Sequence, residues 1–342
     1  MNIFACGVCE QTVFFESVMC TRCGATLAFR PDTRAMVAAT PGSTPTDYRL
    51  CRNYVEHAVC NWAVPAADDN PYCRACRLNH LIPNLGDAHA KDAWHRMELA
   101  KRRLLYTVLA LGLPVETKAE NPAWGLAFDF LQDTGPEKVF TGHDDGLITI
   151  NIAEADDPFR EKMREQMGET YRTVLGHFRH ESGHYYWQRL IDGRPAHHQF
   201  RRLFGDENES YDEARDRHYR NGPIPGWPDR FVSAYASMHP WEDWAETWAH
   251  YLHMVDGLET ARAHGLSLRP AAVGAPAEKP LSIRRLNIHS FDDLITGWIP
   301  LTVALNNMNR SFGTSDCYPF VLAPPAIDKL RFVHDVVAMS TG

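Results

Sequence analysis

The sequence predicts an α+β fold in two parts: a small cysteine-rich module over residues 1–82, then a mainly helical domain with a small β-sheet over residues 83–342. Three observations predict it. Eight of the nine cysteines lie before residue 77; two later stretches carry apolar residues at helical spacing; between them lie short alternating segments around a turn signal. The chain of 342 residues is 44% hydrophobic and 23% charged, which suits an ordinary folded protein of about two domains. Its 35 Lys and Arg against 43 Asp and Glu give a formal charge of −8, which argues against a dedicated nucleic-acid binder.

The N-terminus, MNIFACGVCE, has neither a basic region nor a long apolar stretch of the kind a secretory signal needs. The longest apolar runs, residues 106–113 and 298–305, fall short of the roughly 18–20 residues of a membrane helix. The expectation is a cytoplasmic chain with no membrane partner. Thiols stay reduced there, so paired cysteines hold metal rather than form disulfides.

The first four cysteines read Cys6-Gly-Val-Cys9 and, ten residues later, Cys20-Thr-Arg-Cys23-Gly24. A CxxC on a tight turn lets two thiolates bind one ion, and two such turns complete a tetrahedral site. Gly7 and Gly24 suit turns that need a residue tolerant of positive φ. A structural zinc on Cys6, Cys9, Cys20 and Cys23 is expected; the alternative, a redox CxxC, has no βαβ pattern around it. The second four are Cys51, Cys60, Cys73 and Cys76. Only Cys73-Arg-Ala-Cys76 has knuckle spacing, and His57 and His80 are spare ligands nearby. A second structural zinc is expected on these four cysteines, against the alternative of buried apolar thiols.

Residues 40–48, TPGSTPTDY, read as a loop between the clusters. Small modules of this kind use metal because they cannot bury enough apolar surface alone. A protein partner could bind such a ribbon. Its arginines are thinly spread from Arg22 to Arg77 with no contiguous basic patch, which leaves nucleic acid the weaker reading.

Residues 87–111 place Ala90, Trp94, Met97, Leu104, Leu105, Val108 and Leu109 close to a helical repeat, with Lys101-Arg102-Arg103 as its solvent side and Pro114 beyond its end. Leu126, Phe128 and Phe130 alternate, as do Ile148, Ile150 and Ile152. With the turn signal His143-Asp144-Asp145-Gly146 between these segments, residues 138–152 read as a β-hairpin. Residues 147–152 are expected to be the edge strand against which an extended peptide pairs.

Residues 169–190 contain His180-Glu181-Ser182-Gly183-His184, an HExxH. On a helix, positions i and i+4 share a face, so both imidazoles reach one zinc ion. Glu181 is rotated aside and can take a proton from water activated by the metal. Tyr171, Val174, Leu175 and Phe178 give the same helix a packed face, and His177 reads as packing or as support behind the ligands. The alternative is a pair of ordinary surface or core histidines. HExxHxxGxxH is absent, so a third ligand comes from elsewhere.

A second helix within residues 233–253 supplies candidates: Pro240 suits its first turn, and Trp241, Trp244, Trp248 and Tyr251 form one apolar stripe. Glu242 and Glu246, four apart, share another face. Carboxylates beside so many tryptophans are costly to bury unless they meet a cation or donors; a solvated acidic face with Asp243 is the alternative. Of the remaining segments, residues 266–280 read as a loop. Residues 305–320, with Asn306, Asn307, Asn309, Arg310 and Asp316, either line a substrate cleft or serve as turn and cap chemistry. Cys317 has no sequence partner.

HESGHYYW, FGDE and SAYASMHPWEDWAETWAHYLH, with NIAEAD at 151–156 and LNNMNRSFGTSDCYPF at 305–320, resemble the bacterial zinc-binding metallopeptidases with an N-terminal zinc ribbon. The resemblance extends over nearly the whole chain and implies a zincin-like metallopeptidase domain. The catalytic segment is also similar to lethal-factor-type gluzincins, in which a tyrosine lies seven residues before a ligand glutamate that opens E-x-x-A-E; Tyr235, Glu242, Ala245 and Glu246 fit. This implies Glu242 as third ligand of a catalytic zinc with His180 and His184, Glu246 as support behind the ligands, and Tyr235 as a donor to the transition state. The wide spacing of Cys51 and Cys60 departs from a standard knuckle. The expected activity is zinc-dependent hydrolysis of peptide bonds in a protein or peptide substrate, with Glu181 as general base. The competing reading is a ribbon-based binding or regulatory protein on a non-hydrolytic, metal-stabilised scaffold.

Overall fold

The cysteine turns set the start of the chain. In a computed structural model that describes all residues except 41, 44, 135–137, 271–280, 288 and 341–342, strand β1 (Phe4–Ala5) pairs antiparallel with β2 (Thr12–Val13), β3 (Thr26–Arg30) with β4 (Ala35–Ala39), and β5 (Tyr48–Leu50) with β6 (Ala63–Pro65). Short helix α1 (Arg52–His57) lies between β5 and β6. The first two CxxC turns close alike: the Glu10 amide donates to the Cys6 carbonyl and the Gly24 amide to the Cys20 carbonyl, each at 2.9 Å. The residue after the second cysteine takes positive φ in both, 61° at Glu10 and 71° at Gly24. Gly24 therefore does what its sequence position suggested, whereas in the first turn Glu10, not Gly7, bears the left-handed conformation. Of the loop expected at 40–48, positions 41 and 44 lie outside the described residues.

Helix α2 (Ala88–Ala110) starts where Asp87 accepts the His89 amide, and it buries Ala90, Trp94, Met97, Leu104, Leu105 and Val108, the periodic face read from sequence. Two of the three residues of the basic run do not face solvent as expected. Lys101 is 0% and Arg102 2% exposed. The Lys101 ammonium donates to Glu98 Oε1 at 2.8 Å beside the Phe128 and Phe130 rings, and Arg102 donates to the Val59 carbonyl at 2.6 Å. Arg103 pairs with Glu16. A buried carboxylate and a buried carbonyl need donors, and this outweighs the cost of taking the cations out of water.

Strands β7 (Asn79–Leu81), β8 (Ala127–Leu131), β9 (Gly142–Asp144) and β10 (Leu147–Asn151) form one sheet in the order β7-β8-β10-β9. β8 runs parallel to both neighbours, and β9 antiparallel to β10. The hairpin is present, with its turn at Asp145 (φ 42°) and Gly146 (φ 87°), the left-handed pair that a two-residue hairpin needs. A β-carbon on Gly146 would also collide with the Gly125 carbonyl. The edge assignment is corrected: β10 pairs on both sides, and the edge strands are β7 and β9.

These elements, helix α3 (Asp157–Met167) and the first part of α4 (Val174–Leu190) belong to one unit, residues 3–168 with 172–185. The second unit takes residues 1–2, 169–171 and 186 onward. It contains α5 (His197–Phe204), α6 (Tyr211–Asn221), α7 (Pro240–Ala263), α8 (Phe291–Ser311) and α9 (Pro324–Ser340). Its core stacks Trp244 on Trp248, with Phe204 and Phe332 edge-on to or tilted against Trp244 and one another. Of the loop expected at 266–280, residues 271–280 lie outside the described residues.

The polar cluster at 305–320 takes the turn-and-cap role. Asn306 accepts the Tyr318 amide and donates to its carbonyl, Asn309 donates to the Ser315 carbonyl, and Arg310 pairs with Asp316. The chain is thus a mixed α+β protein, a cysteine-rich ribbon region followed by a mainly helical domain, as its sequence predicts. Among the described residues no helix is long and apolar enough to cross a membrane.

Candidate metal centres

Three groups of ligand-type side chains converge, each with its ligand atoms within 4.8 Å of one another: Cys6, Cys9, Cys20 and Cys23; Cys51, Cys60, Cys73 and Cys76; and His180, His184 and Glu242. In the first group Cys6 and Cys23 Sγ are 3.7 Å apart, and Cys9 and Cys20 Sγ 3.6 Å; in the second, Cys60 and Cys73 Sγ are 3.6 Å apart. These separations are far too long for disulfides. They fit a tetrahedron of metal–sulfur bonds of about 2.3 Å, whose sulfur–sulfur edges are about 3.8 Å.

In the second group the Cys73 amide donates to Cys51 Sγ and the Trp62 amide to Cys60 Sγ, each at 3.3 Å. The wide Cys51–Cys60 spacing is spanned by α1, which returns Cys60 to the cluster. The spare histidines serve elsewhere: His57 packs on Trp94 with ring centroids 5.8 Å apart, and His80 pairs with Asp129 at 2.8 Å.

The third group starts on α4. Thr173 caps this helix, its hydroxyl accepting the Gly176 amide at 3.0 Å, so the helix begins at Val174 and Tyr171 lies before it. Phe178 packs on Phe128 and Phe130 of β8, which fixes the helix on the sheet. Tyr185 donates its hydroxyl to the Trp124 carbonyl at 3.1 Å. His180 and His184 then place their Nε2 atoms 3.2 Å apart. Two imidazole lone pairs at that distance repel unless a proton or a cation lies between them. Glu181, between them in sequence, is 7% exposed.

Glu154 secures the same helix start. Its carboxylate receives Arg172 at 2.6 Å and lies 3.2 Å from His177 Nε2. Burial pushes this carboxyl up, but His177 and Arg172 outweigh it and hold it at about 2, below the usual 4.5. A carboxylate depressed on folding stabilises fully above its unfolded pKa and ceases to do so as pH falls through its folded value. Glu154→Gln should therefore cost about 3 kcal/mol at pH 7 by linkage, with the gap from wild type narrowing at pH 3. Urea unfolding at the two pH values measures it; a pH-independent gap would exclude the carboxylate charge as the source.

Glu242 lies in the first turn of α7, where the His239 ring accepts the Trp241 amide at 3.1 Å and Pro240 occupies the first helical position. Glu242 is 2% exposed, and its Oε1 accepts the Tyr211 hydroxyl at 2.9 Å. Asp243 is fully buried against Lys329, so the solvated acidic face considered as an alternative does not exist. Glu246 accepts the Ser233 hydroxyl at 2.6 Å.

Tyr235 sits in the turn before the helix, edge-on to His218. Burial first, and then the negative field of Glu242, keep its hydroxyl protonated well above the usual phenol range. Tyr211 escapes a sequence reading because it lies 31 residues before Glu242, inside an acidic run that carries no spacing rule.

A family model described as "Putative zinc-binding metallo-peptidase" matches residues 90–336, and a zinc-ribbon domain model matches residues 3–87. Uncharacterized proteins from Mycobacterium bovis and from two strains of Mycobacterium tuberculosis are each 43% identical over 338 residues, covering 98% of this chain and 95% of theirs. No solved structure matches it significantly.

Proposed function

The chain belongs to the zinc-binding metallo-peptidase family, with an N-terminal zinc-ribbon region, and on that premise we propose that it hydrolyses peptide bonds. The observation that carries the reading is the approach of His180, His184 and Glu242 within 4.8 Å, with Glu181 on the same helix as the two histidines. Two imidazoles and one carboxylate are the donor set of a gluzincin-type catalytic zinc, and they leave a coordination position for reactants. When bound there, zinc supplies Lewis acidity toward water and toward a peptide carbonyl.

The chain's own residues do the rest. Glu181 takes a proton from the attacking water and delivers it to the leaving nitrogen. Tyr235, kept protonated, donates to the oxygen that gains charge. Tyr211 holds one oxygen of Glu242 and so directs the other, while Glu246 supports the set from the next turn of α7. The two four-cysteine groups each hold a structural zinc, which suits the reducing cytoplasm.

The protein or peptide substrate pairs with β9. In the hairpin Asp144 faces Leu147 across the two-residue turn, so the next pair, His143 with Ile148, turns the His143 amide and carbonyl away from β10 toward the open edge. The His143 ring centroid is 6.4 Å from that of His184, which sets a peptide paired at this position beside the HExxH helix.

Loss of peptidase activity on treatment with a chelator, and its return on adding zinc, is the expected result. Turnover that persists in metal-free protein would remove the proposal.

A further inference from the structure

The second four-cysteine group lies against the cations of α2 that the sequence assigned to solvent. Glu98, Lys101 and Arg102 are all buried side chains on that helix. The Glu98 carboxylate is matched by Lys101 at 2.8 Å, with Arg102 further off at 3.6 Å. Asn79 adds neutral contacts to both Glu98 and Lys101. One carboxylate and two cations leave one buried positive charge in excess, and an uncompensated buried charge is strongly destabilising.

Among the described residues the neighbouring carboxylates are already matched: Glu16 pairs with Arg103, Asp68 with Arg77 and Asp129 with His80. The cysteine group can supply the missing anion. Arg102 is tied to the carbonyl of Val59, the residue next to Cys60. Burial opposes its charge, and the sulfurs of Cys60, Cys76 and Cys73, together with Glu98, favour it. Four thiolates around one divalent ion retain two negative charges in a site that is itself buried.

We propose that Arg102 is the counter-ion of the Cys51, Cys60, Cys73 and Cys76 centre, so that metal binding in the ribbon and the burial of Arg102 on α2 stabilise each other. Arg102 acts here as a positioning residue through its charge, independently of peptide hydrolysis.

The test uses the full chain and separates charge from hydrogen bonding. Arg102→Gln keeps a donor for the Val59 carbonyl and loses the charge; Arg102→Lys keeps the charge. Zinc content is counted by mass spectrometry, release is followed with a chromophoric chelator, and cobalt-substituted protein reports thiolate-to-metal absorption. Arg102→Gln should weaken one metal equivalent roughly 10- to 100-fold, the range for partners standing behind metal ligands, and reduce the thiolate–cobalt bands, while Arg102→Lys stays close to wild type. Unchanged metal retention in Arg102→Gln would overturn the proposal, as would Arg102→Lys leaking equally. Should Arg102→Gln not fold, Glu98→Gln is the second variant. It removes the competing anion and should hold zinc at least as tightly as wild type; weakened zinc there would also overturn the proposal.

Discussion

Glu181→Gln should abolish peptide hydrolysis and leave the zinc content of the protein unchanged. Glu181 is not among the three side chains whose ligand atoms converge, yet it lies on α4 between two that do. Glutamine has nearly the same shape, so the buried position keeps its packing and only the ability to take a proton is lost. General-base catalysis is worth typically 10²- to 10⁴-fold, and the loss should fall in kcat rather than in KM because water activation belongs to the chemical step.

The measurement is turnover on a denatured-protein or peptide-library substrate, with metal analysis of the same preparation. Retained turnover would strip Glu181 of its role; lost zinc would mean that the substitution acts through the metal site. A comparison of protein N-termini in cells carrying wild type and Glu181→Gln then identifies the natural cleavage sites.

The residues that a sequence reading finds are those bound to a short-range rule. HExxH announces itself because four residues make one turn of helix, and the CxxC turns because two thiolates need two intervening residues. The hairpin was visible from Asp145-Gly146, but which of its strands forms the edge was not. That depends on β8 pairing with β10, a contact between segments joined only through intervening chain.

Arg102 was misplaced for a related reason. A charged residue reads as solvated until its partners, here the Val59 carbonyl and a cysteine cluster that begins some fifty residues earlier, are brought to it. Tyr211 carries no signal at all without the fold. The Cys51–Cys60 gap looked irregular for a knuckle because α1 does the work of returning the chain, and a helix of six residues leaves little periodicity to read.

Lys329→Met should cost about 3–5 kcal/mol of stability, the range for breaking a buried ion pair by removing one partner. Asp243 is 0% exposed, and the Lys329 ammonium meets its Oδ2 at 2.5 Å, donates to the Arg230 carbonyl at 3.2 Å and sits 4.2 Å from the centre of the Phe231 ring. Methionine fills much of the lysine stem's volume, so the loss comes mainly from Asp243: burial already pushes its carboxyl up to about 7 against the pull of Lys329, and without that cation it must either stay charged or take up a proton in a dry site beside the core tryptophans of α7. Asp243 also follows Glu242 directly, so the pair that fastens α9 to α7 sets the helix turn from which Glu242 projects. Denaturant midpoints for wild type, Lys329→Met and the double variant Asp243→Asn/Lys329→Met decide the cause. The double variant should recover a large part of the loss, because it removes the ionisable carboxyl while keeping the single variant's packing. Equal midpoints for the single and double variants would instead assign the cost to lost packing around the lysine stem and the Phe231 ring, and the charge on Asp243 would not be what holds α9 in place.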